Sequence, residues 1–203
     1  MKTRIAINGF GRIGRNLFRL LIDHPSIEIV AINDIADNKT MAHLLKYDSI
    51  HGKLAYDCSF NEEAIIVNGK SHLFFHEKSI ANLDWKALDI DFVIESTGKY
   101  KTFDEINAHI LAGAKKVILT APSEVDTIKT VVLGVNEAIL NGDETIISNA
   151  SCTTNNAAPM IKIIDELCGI EQAYITTVHS FTTDQSLHDQ PHKDLRRARG
   201  ASQ

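Results

Sequence analysis

Along the first 150 residues the apolar positions switch repeatedly between a strand-like run and a helical spacing. Residues 4–8, Arg-Ile-Ala-Ile-Asn, read as a short buried strand, followed by a glycine-rich turn at 9–14. From 12 to 23 the apolar positions 13, 17, 20 and 21 fall on one helical face, and Pro25 stops the helix. Residues 27–33, Ile-Glu-Ile-Val-Ala-Ile-Asn, form a second strand-like run ending at Asp34. The three pieces make a β-α-β unit of about thirty residues.

The alternation continues. Residues 40–47 read as a helix, and Asn68-Gly69 reads as a hairpin turn between strands at 64–67 and 71–75. Strands are predicted at 90–95, 116–120, 130–134 and 145–148, with a helix at 102–113 ended by Gly113. This order predicts an α/β fold built on a doubly wound, mainly parallel sheet. After 148 the pattern changes. Residues 152–169 read as a long helix with Pro159, Ile161, Ile163, Ile164 and Leu167 on or near one face, and 174–178 as a single strand. From His179 to Gln203 the chain is polar and aperiodic. The expected division is 1–150 and 151–203, the second part being the beginning of an α+β domain. A lone strand at 174–178 needs more sheet to pair with, so a further segment or a partner is expected to supply it.

Composition narrows the classes. The chain has 203 residues, 44% hydrophobic and 23% charged, which fits a globular protein with one full domain and part of a second. The net charge of −5 argues against a nucleic-acid partner, since the one basic cluster is at 193–199. No run of ~18 apolar residues predicts a membrane span. Cys58, Cys152 and Cys168 make neither a metal pattern nor a disulfide framework, and the N-terminus leads straight into a strand. A reducing, cytoplasmic setting without a metal is the expectation.

Two constellations carry chemistry. Gly9, Gly11 and Gly14 fit G-x-G-x-x-G, and they follow a predicted strand and open a predicted helix. In that context the pattern is the dinucleotide fingerprint of a Rossmann-type sheet. One glycine makes the turn, one admits the pyrophosphate, and one lets helix and strand pack closely. Asp34, twenty residues past Gly14, is placed to accept the adenosine ribose hydroxyls and to repel a 2′-phosphate, which favours NAD over NADP. The second constellation is Ser148-Asn149-Ala150-Ser151-Cys152-Thr153-Thr154-Asn155, just ahead of the long helix. A helix N-terminus there favours the Cys152 thiolate. His179, at the end of the 174–178 run, is a candidate base or ion-pair partner for it.

The stretches 7–15, 148–155 and Thr177-Val178-His179-Ser180, with Lys46-Tyr47-Asp48, residues 113–117 and residues 192–197, resemble the phosphorylating glyceraldehyde-3-phosphate dehydrogenases over the whole chain. The resemblance implies oxidation of glyceraldehyde 3-phosphate by NAD in glycolysis. Cys152 would be the nucleophile and His179 the base, and inorganic phosphate would attack a cysteine thioester. It also implies Ser151 and Thr153 at the attacking phosphate, and Thr182 and Arg197 at the substrate phosphate. Arg12, Ile13 and Asp34 match NAD contacts, with Lys78 and Thr120 as weaker ones. Residues 182–203 match the start of the loop that lines a neighbouring subunit's cofactor site in a homotetramer. Two features depart from the family. Asn156 stands where a second cysteine is usual, and the family's chain is longer, carrying most of the catalytic sheet, a second phosphate-binding arginine and a C-terminal helix. The chain therefore reads as a truncated member, and without further chain weak or absent activity is expected. Erythrose 4-phosphate as substrate, or a catalytically inactive NAD-binding fragment, are the alternative readings.

Overall fold

The computed structural model describes residues 1–201. In chain order the elements are β1 (Thr3–Asn8), α1 (Arg12–Leu21), β2 (Ile27–Asn33), α2 (Asn38–Lys46), β3 (Tyr47–Asp48), β4 (Gly52–Lys53), β5 (Cys58–Phe60), β6 (Ala64–Val67), β7 (Lys70–Phe75), β8 (Phe92–Glu95), α3 (Phe103–Leu111), β9 (Lys116–Leu119), β10 (Lys129–Thr130), β11 (Ile146–Ser148) and α4 (Cys152–Cys168). Nine strands form one sheet in the order β10-β11-β9-β8-β1-β2-β7-β6-β5. The strands from β10 to β7 pair in parallel, and β6 and β5 add an antiparallel edge. This is the doubly wound α/β fold that the alternation predicts.

Local chemistry sets several element ends. Asn68 and Gly69 both hold positive φ (50° and 74°), as a two-residue hairpin between β6 and β7 requires. The Asp37 side chain accepts the Thr40 N–H to cap α2. Thr102 and Glu105 form a reciprocal capping box on α3.

The sheet separates two cores. Phe10, Phe18, Ile32, Leu45 and Ile65 are buried in one, and Trp85, Ile90, Ile106, Val117 and Leu119 in the other. Side chains alternate across a strand, so neighbours such as Ala6 and Ile7 serve opposite cores.

Two predicted strands differ. The 130–134 run contracts to Lys129–Thr130, because the chain turns at once. Val131 N–H still reaches the Ser148 carbonyl at 2.8 Å, but Val132 N–H is taken by the Asn136 side chain at 2.8 Å. The 174–178 run is not a strand: it pairs with no other segment among the described residues, and its Val178 is 99% exposed. An apolar pattern alone supplies no ladder partner, and a strand exists only through its ladder.

The chain divides into two compact units, Met1–Ile163 and Ile164–Gln203. The first holds the whole sheet. The second begins within α4 and has no strand among its described residues; ion pairs such as Arg199–Asp189 and backbone bonds such as Ala201 N–H to the Ser186 carbonyl (2.8 Å) tie it together.

Candidate functional site

The three glycines of the turn after β1 do different work. Gly9 holds φ +93°, and a Cβ there would lie 2.6 Å from the Thr97 backbone nitrogen. A Cβ on Gly14 would lie 2.2 Å from the Gly9 carbonyl oxygen and 3.1 Å from Ile7. Those two glycines let the turn pack against β8 and let α1 pack against β1. A Cβ on Gly11 would meet nothing within 4 Å. The open space at Gly11 borders a cleft of about 450 Å³, and Gly11 is also the N-cap of α1, whose first turn carries no acidic side chain. A helix N-terminus of this kind suits a pyrophosphate.

The cleft lies at the carboxyl ends of β1, β2 and β8, where the strand order reverses, the usual ligand position in an open parallel sheet. Of the sequence candidates, Gly9, Gly11, Asp34 and Lys78 line it. Arg12, Ile13, Gly14 and Thr120 are not among its lining residues. Gly14 is buried beneath the turn, and the Thr120 amide and hydroxyl both donate to the Glu95 carbonyl, at 3.0 and 3.1 Å. Asp34 aims its carboxylate into the turn: it accepts the Phe10 N–H at 2.7 Å and the Ala36 N–H at 3.0 Å. Asn8, Asn33, Glu77, Ser96, Thr97 and Tyr100 also line the cleft and were not singled out by the motif. The signal that finds them is topological, since they sit on or just past the carboxyl ends of strands that only the sheet order makes neighbours. The residues present fit a dinucleotide: a glycine turn with open space, an uncapped helix start, and a carboxylate across from it.

Cys152 is the first residue of α4 and is exposed. β11 ends at Ser148, and Ala150 turns the chain with φ 57°, a left-handed conformation rare for a residue with a side chain. The Ser151 hydroxyl caps the helix by accepting the Thr154 N–H at 3.0 Å, and it also shares a hydrogen bond with the Thr154 hydroxyl at 2.8 Å. This sharp strand–turn–helix passage presents Cys152 and Thr153 at the carboxyl edge of the sheet. Burial pushes the Cys58 thiol up from its ordinary value. Among the described residues no group of three or more His, Cys, Asp or Glu is placed to hold a metal ion, and no helix is long and apolar enough to cross a membrane.

His179, Thr182 and Arg197 belong to the second unit. Thr182 donates through both its backbone N–H and its hydroxyl to the Gln185 side-chain oxygen, at 2.6 and 2.9 Å. Arg197 pairs with Asp184, which also faces the His192 ring at 3.4 Å. The bonds from His192 and then Arg197 hold the Asp184 carboxyl below its ordinary range. The two candidate phosphate ligands, Thr182 and Arg197, thus both engage the turn at 182–185.

The first unit, with its glycine turn and facing carboxylate at the switch point of a parallel sheet, has the form of a dinucleotide-binding domain. A family model described as the glyceraldehyde 3-phosphate dehydrogenase NAD-binding domain matches residues 3–103, and the model of the same family's C-terminal domain matches residues 151–203. The chain belongs to the glyceraldehyde-3-phosphate dehydrogenase family, and NAD is the cofactor its N-terminal domain serves. It is similar to the glyceraldehyde-3-phosphate dehydrogenase of Thermotoga maritima, 53% identical over 202 residues, which cover 98% of this chain and 60% of the relative. The Geobacillus stearothermophilus enzyme of the same name is 48% identical over 204 residues, covering 100% and 61%. Glyceraldehyde-3-phosphate dehydrogenase 2 of Bacillus subtilis is 50% identical over 204 residues, covering 100% and 60%. The chain therefore spans about 60% of the length of these curated relatives.

Proposed function

We propose that this protein acts as an NAD-dependent, phosphorylating aldehyde dehydrogenase that converts glyceraldehyde 3-phosphate and inorganic phosphate into 1,3-bisphosphoglycerate. The observation that carries the proposal is the position of Cys152. It opens α4 from the same carboxyl edge of the same sheet as the dinucleotide cleft. β8 borders the cleft and β11 leads to Cys152, with only β9 between them. At about 4.8 Å per strand the two features are on the order of 10 Å apart along the sheet, a short enough span for one substrate to meet both.

In this reading the Cys152 sulfur adds to the aldehyde carbon, and the carbonyl π electrons move to oxygen. His179 passes the Cys152 thiol proton to that oxygen, then takes it back as the C–H bond breaks with loss of hydride and the carbon becomes a thioester on Cys152. NAD, when bound, supplies the two-electron acceptor. Phosphate then attacks the thioester, the carbon–sulfur bond breaks, and Cys152 leaves as thiolate. Hydroxyl donors at Ser151 and Thr153 suit the attacking phosphate. Thr182 and the Arg197 guanidinium suit the phosphate already on the substrate, where charge-assisted bonds are strongest. Gly11 and the α1 N-terminus, in the turn that the packing of Gly9 and Gly14 shapes and with Arg12 and Ile13 on the first helical turn, would hold the pyrophosphate. Asp34 would hold the ribose, and Lys78 and Thr120 would add weaker contacts. A homotetramer in the cytoplasm is the assembly and location that go with this reading.

The test is NADH formation from glyceraldehyde 3-phosphate, NAD and inorganic phosphate, on protein whose intact mass is confirmed as 22.5 kDa. Phosphate-dependent NADH that disappears in Cys152→Ser supports the proposal. NAD binding with no NADH formed, in a folded chain, refutes it for these 203 residues.

A further inference from the structure

Arg15 lies within α1, half-buried, and is not among the residues that line the cleft. Its Nη1 donates to the Phe10 carbonyl oxygen at 2.7 Å. Asp48, Arg12, Asp34 and Arg19 are the charged groups that act on it. Among the described residues the guanidinium bonds neither of those carboxylates, and its Nε is buried without a partner. A half-buried cation that satisfies one backbone carbonyl and leaves a donor unmade adds little stability. What it does is fix the direction of that carbonyl.

The chain on the N-terminal side of that carbonyl is already fixed. The Gly9 N–H donates to the Asn33 carbonyl at 2.8 Å, and the Phe10 N–H donates to Asp34 at 2.7 Å. The Phe10 ring is fully buried and packs edge-on against Phe18 and Phe74. None of these contacts holds the peptide between Phe10 and Gly11. Flipping that plane turns only the Phe10 ψ and the Gly11 φ, and a glycine accepts either sign of φ about equally. A side chain has to supply the constraint that sterics do not.

A trans peptide is planar, so its C=O and N–H point in opposite directions. Arg15 holds the Phe10 carbonyl toward the body of α1. The Gly11 N–H is therefore turned off the N-terminal end of the helix. Gly11 borders the cleft, and its N–H has no hydrogen-bond partner among the described residues.

We propose that Arg15 is a positioning residue of the dinucleotide cleft: by holding the Phe10 carbonyl, it locks the Phe10–Gly11 peptide with the Gly11 N–H presented to the pyrophosphate. The inference rests on reading the cleft as the NAD site. Without a donor at position 15 the peptide is free to flip, and a carbonyl oxygen then replaces an N–H before the anion. A hydrogen bond to a charged group is worth about tenfold in affinity or more.

The experiment is an amide-resolved NMR titration of the full chain with ADP-ribose, which carries the pyrophosphate, and with adenosine, which does not. Wild type, Arg15→Met and Arg15→Lys are compared. Methionine keeps the length and removes both charge and donor, whereas lysine keeps the charge and one donor. In wild type, saturating ADP-ribose is expected to move the Gly11 amide proton downfield. In Arg15→Met, ADP-ribose affinity is expected to fall about tenfold with adenosine affinity unchanged. The Gly11 shift is expected to be lost there even at saturation, and Arg15→Lys is expected to restore it. Equal weakening of both ligands in Arg15→Met shows a merely structural role and overturns the inference. Weaker ADP-ribose binding with the Gly11 shift retained at saturation shows attraction by the charge alone and also overturns it. The emission of Trp85, the sole tryptophan, reports whether each variant is folded. If Arg15→Met is unfolded, wild type and Arg15→Lys decide, and a Gly11 amide unmoved by saturating ADP-ribose in either one overturns the inference. Wild type that binds neither ligand overturns the reading of the cleft itself, an outcome distinct from binding both with the Gly11 amide unmoved.

Discussion

Asp34 accepts the Phe10 backbone N–H at 2.7 Å, which fastens the end of β2 to the glycine turn that follows β1. The same carboxylate accepts the Ala36 N–H at 3.0 Å and lines the cleft. One residue therefore shapes the turn and places a carboxylate on the wall of the cleft. The two roles separate by substitution. Asp34→Asn keeps an acceptor oxygen but removes the charge that repels a 2′-phosphate, so the preference for NAD over NADP is expected to fall by about tenfold or more, a difference of about 1.4 kcal/mol. Asp34→Ala leaves two backbone N–H groups without their partner and is expected to lower stability by about 1–3 kcal/mol as well. Calorimetric affinities for both dinucleotides and urea denaturation of each variant check the two effects. Unchanged NADP binding in Asp34→Asn would show that the carboxylate does not set the preference.

The glycine turn makes a sharper prediction, because its three positions are not equivalent. An alanine at Gly9 or Gly14 drives a methyl into backbone at 2.6 or 2.2 Å, and Gly9 is strained further by its positive φ. Each is expected to destabilise the chain by more than about 2 kcal/mol or prevent folding. Gly11→Ala meets open space and an ordinary φ of −70°. It is expected to stay within about 1 kcal/mol of wild-type stability and to lose dinucleotide affinity, because the methyl would occupy the approach to the α1 N-terminus. Denaturation curves and NAD titration of the three single variants test this. A stable Gly11→Ala that binds NAD as tightly as wild type would remove Gly11 from the site.

Much of this was legible in the sequence because its signals are local. The β1-α1-β2 unit shows in its periodicity, the hairpin in Asn68-Gly69, and the cleft in the glycine spacing. What was not legible depends on partners distant along the chain. Glu95 closes an ordinary apolar strand and His109 lies in an ordinary helix, with no motif at either. Their meeting depends on α3 folding back over the sheet and on Trp85, 24 residues before His109. The 174–178 run fails for a related reason. Its pattern is that of a strand, but strand identity requires a pairing segment, which no local pattern provides. Glycine spacing likewise gave no sign that Arg12 and Ile13 lie outside the cleft lining while Asn8 and Thr97 lie within it.

His72 makes stability depend on pH. Its ring is buried, packs edge-on against Phe18, and bonds the Ile29 carbonyl through Nδ1 at 2.7 Å, while Nε2 has no partner among the described residues. A carbonyl only accepts, so Nδ1 carries a proton, and a second one on the buried, unpartnered Nε2 is disfavoured. Burial is the largest cause and lowers the pKa below the ordinary histidine value. The unfolded chain then takes up a proton at a pH where the folded chain does not. The stabilising contribution is complete above the unfolded histidine pKa of ~6.5 and is lost as pH falls from there toward the folded value. The melting temperature is expected to drop as pH falls from 7.5 to 5, and His72→Gln, which keeps a donor for Ile29 without titrating, is expected to flatten that dependence. Parallel slopes in the two proteins would exclude His72 as the cause.

The three cysteines should separate by reactivity. Thiolate is the reacting form, so alkylation follows access and the local field. Cys152 is exposed at the first position of a seventeen-residue helix, where the N-terminal field favours an anion. Cys168 is exposed but ends the same helix, where the field has the opposite sign, and its Sγ donates to the Ile164 carbonyl at 3.2 Å. Cys58 is half-buried with its thiol pushed up by burial, and it donates to the Ala42 carbonyl at 3.6 Å. Iodoacetamide at pH 7 is therefore expected to label Cys152 faster than either of the others. Peptide mass spectrometry over a time course reads the three rates separately. Labelling of Cys168 as fast as Cys152 would show that exposure alone governs reactivity, and the case for an activated nucleophile at the start of α4 would fail.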